Sequence, residues 1–183
     1  MIRAAFLDRD GILVEPVMDA QDGRLESPLR PEDVRLVDGA ADALYQLTDA
    51  GWLVVVASNQ PAAAKGKVSF ADLDAVHARV VELLGTAAAR VTAWTYCRHH
   101  SDAGPCDCRK PAPGLLLAAA EAYGIDLSAS WMVGDTDADI GAGRAAGCRT
   151  LLVEHPGSAH KRRAEEPDAR VPDLAAAVAL VLG

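Results

Sequence analysis

The sequence has no excess of positive charge and few aromatic residues. Its 183 residues include 18 Lys and Arg against 26 Asp and Glu, a formal net charge of −8, and only 4% of the residues are aromatic. A negative chain repels nucleic acid and anionic membrane surfaces at long range, and proteins that bind single strands stack bases on aromatic rings. We therefore expect neither nucleic acid nor a membrane as a partner.

The start of the chain also lacks a long hydrophobic run. The first apolar run covers residues 4–7 and ends at Asp8, which is too short for a signal-peptide core or a membrane span. Three of the four cysteines fall within residues 97–108, and in a reducing compartment such clustering favours a metal site over a disulfide. These features predict a cytoplasmic protein.

What is present is the pattern of an α/β protein. The length, a hydrophobic content of 50% and a mean hydropathy of +0.07 are typical of one globular domain, which we expect to span residues 1–183 as a monomer. Short apolar runs alternate with segments of helical periodicity, which predicts a central parallel sheet covered on both faces. The predicted strands are 4–7, 53–57, 91–96, 131–133 and 150–153. The predicted helices are 40–50, 69–84, 113–123, 137–146 and 173–182.

Polar side chains follow three of these predicted strands. Asp8 and Asp10 come after the first, Ser58 and Asn59 after the second, and Asp135 after the fourth. Ligands of open parallel sheets bind at the carboxyl ends of the strands, so these side chains should share one rim. A single Asp-x-Asp is equally typical of a solvated turn, but three such placements predict a magnesium site, because Mg²⁺ prefers hard oxygen ligands.

A second metal site is predicted by the cysteines and histidines of residues 97–108. Cys97, His99, Cys106 and Cys108 form a C-x-H…C-x-C set, which matches a closed tetrahedral structural zinc site. His100 is an alternative to His99, and a reduced cluster or a disulfide is the alternative to the metal. A zinc ion there would fix the loop that leads into Arg109 and Lys110.

Four segments together resemble the motifs of the haloacid dehalogenase (HAD) superfamily of phosphatases. They are residues 6–11 (Phe-Leu-Asp-Arg-Asp-Gly), 57–60 (Ala-Ser-Asn-Gln), 108–111 (Cys-Arg-Lys-Pro) and 134–139 (Gly-Asp-Thr-Asp-Ala-Asp). The resemblance covers most of the chain in the correct order. It implies a three-layer, Rossmann-like α/β fold with a central parallel sheet, a zinc-binding loop and no large cap domain.

The resemblance also implies roles for the residues of these motifs. Asp8 would attack phosphorus to form an aspartyl phosphate, and Asp10 would act as general acid and then general base. Ser58 and Lys110 would bind the phosphoryl oxygens. Mg²⁺ would be held by Asp8, the main-chain carbonyl of Asp10 and Asp135.

Within the superfamily, the small size, the zinc loop and the Cys-Arg-Lys-Pro run look like the D-glycero-D-manno-heptose-1,7-bisphosphate phosphatases and the similar histidinol-phosphate phosphatases. This resemblance implies substrate recognition by Arg109, and we expect Asn59 and Gln60 to contact the substrate as well. The expected reaction is removal of the 7-phosphate of the heptose bisphosphate, a small phosphorylated metabolite. The alternatives are histidinol-phosphate phosphatase, another small-metabolite phosphatase, and, more distantly, a non-catalytic zinc-stapled binding module.

Two segments and one residue depart from the pattern of these relatives. Residues 61–66 read Pro-Ala-Ala-Ala-Lys-Gly instead of Ser-Gly-Ile-Ala-Arg-Gly, which alters a loop that normally lies over the substrate. Residues 15–30 form a longer excursion, which we expect to cover a site. Asp137 would repel a second phosphate unless it points away, and Asp137 or other acidic loop residues would pair with the amine of histidinol phosphate.

Overall fold

The computed structural model describes residues 1–18, 23, 25–100, 102, 104–162 and 164–183, and its regular elements alternate between strands and helices. The strands are β1 (Ala4–Leu7), β2 (Val17–Met18), β3 (Leu25–Glu26), β4 (Leu53–Asn59), β5 (Ala93–Cys97), β6 (Trp131–Gly134), β7 (Arg149–Val153) and β8 (Ala169–Val171). The helices are α1 (Ala40–Asp49), α2 (Phe70–Leu84), α3 (Gly114–Tyr123), α4 (Asp137–Ala146) and α5 (Leu174–Leu182).

Six of the strands form one parallel sheet in the order β5-β4-β1-β6-β7-β8. Successive residues of a strand point to opposite faces, and both faces are covered here. Ala5 and Leu7 pack with apolar residues of α1, α2 and α5, whereas Ala4 and Phe6 pack with apolar residues of α3 and α4. Every residue of β1 is therefore buried, which explains its uninterrupted apolar sequence.

The apolar spacing predicts the inner face of α1 correctly. Ala40, Ala43, Leu44 and Leu47 are its buried residues, three or four positions apart as one helix face requires. The helix ends before Gly51, whose φ of 82° is a left-handed conformation that glycine adopts without a steric penalty. The predicted α/β class and the parallel sheet are both confirmed.

The largest differences from the sequence-based expectation concern four strands. β4 is two residues longer than predicted, because Ser58 and Asn59 still pair with Tyr96 and Cys97 of β5. β8 adds a short edge strand beside β7, and β2 pairs antiparallel with β3 in a small separate hairpin. These short strands lack an apolar run long enough to be recognised.

The hairpin β2-β3 lies within the excursion predicted to cover a site. Leu25 and Glu26 of β3 line the cavity at the carboxyl ends of the central strands, in agreement with that prediction. Residues 19–22 and 24 of the excursion lie outside the described residues. No helix in the described part of the chain is long and apolar enough to cross a membrane.

Candidate active site

A cavity of about 350 Å³ lies at the carboxyl ends of β1, β4 and β6. The parallel sheet brings the predicted rim residues together there, although they are far apart in sequence. Its polar and charged lining comprises Asp8, Asp10, Glu26, Ser27, Ser58, Asn59, Lys110, Asp135, Thr136, Asp139, Ser158 and Lys161. Gln60 does not line this cavity, but its buried side chain donates to Asp10 and Ser58, which do.

Lys110 is a buried cation held between two carboxylates. Its Nζ lies 3.0 Å from Asp8 Oδ1 and 2.5 Å from Asp139 Oδ1. Burial alone would lower the pKa of Lys110, but the negative charges of Asp139 and Asp8 raise it above its usual value. Asn59 fixes the main chain, since its Nδ2 donates to the Lys110 carbonyl (2.9 Å) and its Oδ1 accepts from the Lys110 N–H (3.0 Å).

Asp8, Asp135 and Asp139 form a compact acidic cluster whose ligand oxygens lie within 4.8 Å of one another. Burial, with the charge of Asp139, raises the pKa of Asp135 to about 8, and burial likewise raises the pKa of Asp8 to about 6. Among the residues that the structure describes, Asp135 Oδ1 has no hydrogen-bond partner. A buried, unpaired carboxylate oxygen facing two further carboxylates suits a divalent cation.

Gly11 makes this cluster sterically possible. A Cβ on residue 11 would lie 2.2 Å from Asp135 Oδ2, and the residue has a φ of +88°, which L side chains rarely adopt. Glycine therefore lets the turn after β1 approach the Asp135 carboxylate.

Asp10 has an environment opposite to that of Asp8. Arg9 donates to both of its oxygens, from Nε at 2.9 Å and from an amino nitrogen at 3.0 Å, and Gln60 Nε2 donates at 2.7 Å. Burial alone would raise the pKa of Asp10, but the Arg9 guanidinium and hydrogen bonds from Ser27 and Gln60 hold it below its ordinary value. The Asp10 carboxylate is therefore ionised at neutral pH.

Two residues singled out in the sequence lie beside other cavities. Arg109 donates to the His100 carbonyl at 2.6 Å and lines a cavity next to the cysteine-rich loop. Asp137 accepts from the Ala164 N–H at 2.8 Å and lines a separate cavity beside the hairpin β2-β3. The proposed contact between Arg109 and the substrate stays a prediction.

The predicted zinc ligands converge at the end of β5. Neighbouring ligand atoms of Cys97, His99, Cys106 and Cys108 lie between 3.1 and 3.6 Å apart. A tetrahedral zinc ion would hold such atoms about 3.5–3.8 Å apart, so the set fits zinc with small adjustments. His99 belongs to the group through Nδ1, whereas Nδ1 of His100 accepts from the Asp102 N–H. Residues 101 and 103 of this loop lie outside the described part.

Sequence reasoning assigned no role to two buried residues of the site, Asp139 and Arg9. Asp139 Oδ2 accepts from the N–H and hydroxyl of Thr136, which makes it look like an ordinary capping residue of α4. Arg9 lies between two aspartates and looks like a solvated turn residue, yet it is 1% exposed. The position of both residues could have identified them, because both lie inside motifs that follow strands.

Comparison with known proteins agrees with this geometry. A family model described as HAD-hydrolase-like matches residues 107–177. D-glycero-beta-D-manno-heptose-1,7-bisphosphate 7-phosphatase of Pseudomonas aeruginosa is 40% identical over 150 residues, 81% of this chain and 79% of that protein. This chain belongs to the HAD phosphatase family that includes these enzymes.

Two further members of this HAD phosphatase family match over nearly the whole chain. D-glycero-D-manno-heptose-1,7-bisphosphate 7-phosphatase of Thermosynechococcus vestitus is 39% identical over 191 residues, 96% of this chain and 93% of that protein. The crystal structure of D,D-heptose 1,7-bisphosphate phosphatase from B. bronchiseptica, complexed with magnesium and phosphate, has a TM-score of 0.84 at 32% identity. It covers 100% of this chain and 98% of its own.

Proposed function

We propose that this HAD phosphatase uses Mg²⁺ to hydrolyse the 7-phosphate of D-glycero-D-manno-heptose 1,7-bisphosphate through an aspartyl phosphate on Asp8. The observation that carries the chemistry is the buried set of Asp8, Lys110, Asp135 and Asp139 around one cavity. The choice of substrate is supported by relatives that carry this name and are 32–40% identical over most of the chain.

In the first half-reaction, an oxygen of Asp8 attacks phosphorus as the bond from phosphorus to the sugar oxygen breaks. Asp10 supplies the proton that the departing sugar oxygen needs. The resting Asp10 is ionised, but an incoming phosphate is a like charge that raises the pKa of this carboxyl and favours its protonation. Lys110 and the Ser58 hydroxyl hold the phosphoryl oxygens in place.

In the second half-reaction, water hydrolyses the aspartyl phosphate and Asp8 is regenerated. Asp10, now ionised again, accepts a proton from the water as its oxygen bonds to phosphorus, and inorganic phosphate leaves. The Arg9 guanidinium favours this ionised form.

The acidic cluster fits the magnesium that this reaction class uses. Asp8, Asp135 and the Asp10 carbonyl would hold the ion. The two oxygens of Asp139 instead accept hydrogen bonds from Lys110 and Thr136. When bound, Mg²⁺ supplies positive charge that offsets the charge developing on the transferring phosphoryl group.

A structural zinc ion is the second metal that we propose. It would join the end of β5 to Cys108, which lies two residues before Lys110. This link would restrict the conformations of the segment that positions Lys110 in the cavity. The thiolates that zinc requires are stable in the reducing cytoplasm, the location expected from the sequence. The location and the monomeric state stay predictions.

The deciding experiment measures phosphate release with Mg²⁺ from the α and β anomers of the heptose bisphosphate and from histidinol phosphate, in parallel. We expect one heptose anomer to be preferred in kcat/KM by at least about 100-fold over histidinol phosphate. A preference for histidinol phosphate would refute the substrate assignment while leaving the mechanism intact. Asp8→Asn serves as the control for contaminating phosphatases, since it lacks the nucleophile.

A further inference from the structure

The carboxylate of Asp10 is held by a guanidinium that is itself inside the protein. Arg9 is 1% exposed, and its bonds reach both oxygens of Asp10 and the Gln60 Oε1, at 3.0 Å. A buried guanidinium without fixed partners on its other side could turn and would take Asp10 with it. What holds Arg9 therefore decides where the Asp10 carboxylate points.

Tyr96 and His77 supply that support from β5 and α2. The guanidinium of Arg9 lies 5.9 Å from the centre of the Tyr96 ring, as in a cation–π contact. The Tyr96 hydroxyl in turn lies 2.8 Å from His77 Nδ1, and the His77 ring packs edge-on against Trp94 at 5.1 Å. Burial, with the charges of Arg9 and Arg98, lowers the pKa of His77, so the ring is neutral and can accept a hydrogen bond from the hydroxyl.

These contacts form a continuous series from α2 to the Asp10 carboxylate. His77 hydrogen-bonds the Tyr96 hydroxyl, the Tyr96 ring lies beside the Arg9 guanidinium, and Arg9 donates to Asp10. We propose that Tyr96 and His77 are positioning residues that, through Arg9, orient the Asp10 carboxylate toward the leaving oxygen. This inference rests on the acid–base role proposed above for Asp10. It assigns a positioning role to two residues that do not line the cavity.

Dependence on the leaving group separates positioning of a general acid from a general loss of structure. A sugar alkoxide must be protonated as it departs, whereas p-nitrophenolate is stable as an anion and needs little help. The parameter kcat/KM reports the steps up to departure of the leaving group, so slow hydrolysis of the aspartyl phosphate does not obscure the comparison.

The experiment compares kcat/KM of the magnesium-loaded protein for the heptose bisphosphate and for p-nitrophenyl phosphate. Tyr96→Phe keeps the ring over Arg9 and removes only the hydroxyl. We expect about a tenfold loss with the sugar phosphate and less than about a twofold loss with p-nitrophenyl phosphate, part of the 10²–10⁴-fold that a general acid contributes. His77→Leu should behave in the same way, while His77→Gln, which keeps an acceptor, should restore most of the activity.

Tyr45→Phe is the matched control, because it removes a hydroxyl that bonds to Thr86 at the protein surface. It should change neither substrate's kcat/KM. Equal losses on both substrates in Tyr96→Phe, or no loss, would overturn the positioning role. Failure of the proposed acid–base role would appear instead in Asp10→Asn, which would then lose activity equally on both substrates.

Discussion

Replacing Asp135 by asparagine should stabilise the metal-free protein while abolishing its response to magnesium. The side chain is buried beside two other carboxylates, and its pKa is raised from 3.8 to about 8. In the unfolded chain the pKa of this carboxyl is 3.8. For each pH unit above 3.8, keeping the carboxyl protonated in the folded protein lowers the free energy of unfolding by about 1.4 kcal/mol. At pH 7, about three units above 3.8, the loss of unfolding free energy is at most roughly 4 kcal/mol. Relaxation of the neighbouring groups around the charge makes the actual loss smaller.

Asparagine carries no charge and avoids most of this cost. We expect Asp135→Asn to raise the unfolding free energy of the metal-free protein by about 2 kcal/mol at pH 7, a Tm increase of about 4–8 °C for a chain of this size. The size of the gain depends on pH: the folded pKa is raised, so the wild-type protein loses stability as pH rises from about 4 to about 8. The gain in the variant should therefore shrink at pH 5.

The assay is urea unfolding in magnesium-free buffer without a chelator, so that metal at the cysteine site is undisturbed, followed by titration with MgCl₂. Wild-type protein should be stabilised as its site fills, and Asp135→Asn should not. Asp49→Asn, at an exposed carboxylate paired with Arg90, is the control and should change stability by less than about 0.5 kcal/mol. An Asp135→Asn protein that is less stable without metal, or that gains as much from magnesium, would refute the reasoning.

Three further predictions concern other parts of the molecule. Asp8→Asn should abolish phosphate release without lowering the Tm, and substantial remaining turnover would rule out Asp8 as the nucleophile. Elemental analysis should find about one zinc ion per chain after mild dialysis, falling in Cys108→Ser, and an equally stable and active zinc-free protein would contradict the structural site. Asp168→Ala removes the acceptor of the buried Thr150 N–H and hydroxyl and should lower the unfolding free energy by about 1–2 kcal/mol. These bonds lower the pKa of Asp168, so the difference should vanish as pH falls through that pKa, and a difference independent of pH would argue against it.

Local patterns predicted the elements and the rim because both depend on short-range rules. The bounds 137–146 of α4 follow from its position between the Asp-rich motif and Gly147, and the structure has the same bounds. Asp8 and Asp135 share the rim because parallel strands of one sheet end on one side. Neither result required knowledge of side-chain contacts.

Contacts between distant segments could not be read in the same way. One oxygen of Asp139 serves the first turn of α4, which a local pattern can reveal, but the other receives Lys110 from a loop 29 positions away. Asn59 looks like a substrate ligand in its motif, yet its amide makes two bonds to the main chain of Lys110. Such pairings depend on how loops pack over the sheet, for which a single sequence carries no periodic signal.

The most informative contrast within the site is between two aspartates only two positions apart. Asp8 faces Lys110 and the acidic cluster, where burial raises its pKa to about 6, whereas Asp10 faces Arg9, which lowers its pKa. With a pKa of about 6, Asp8 is mostly ionised at pH 7 but takes up a proton before Asp10 as pH falls, because Arg9 keeps Asp10 ionised. Because the two environments push the pKa values of these neighbouring carboxyl groups apart, the fold gives the proposed nucleophile and the proposed proton carrier different proton affinities.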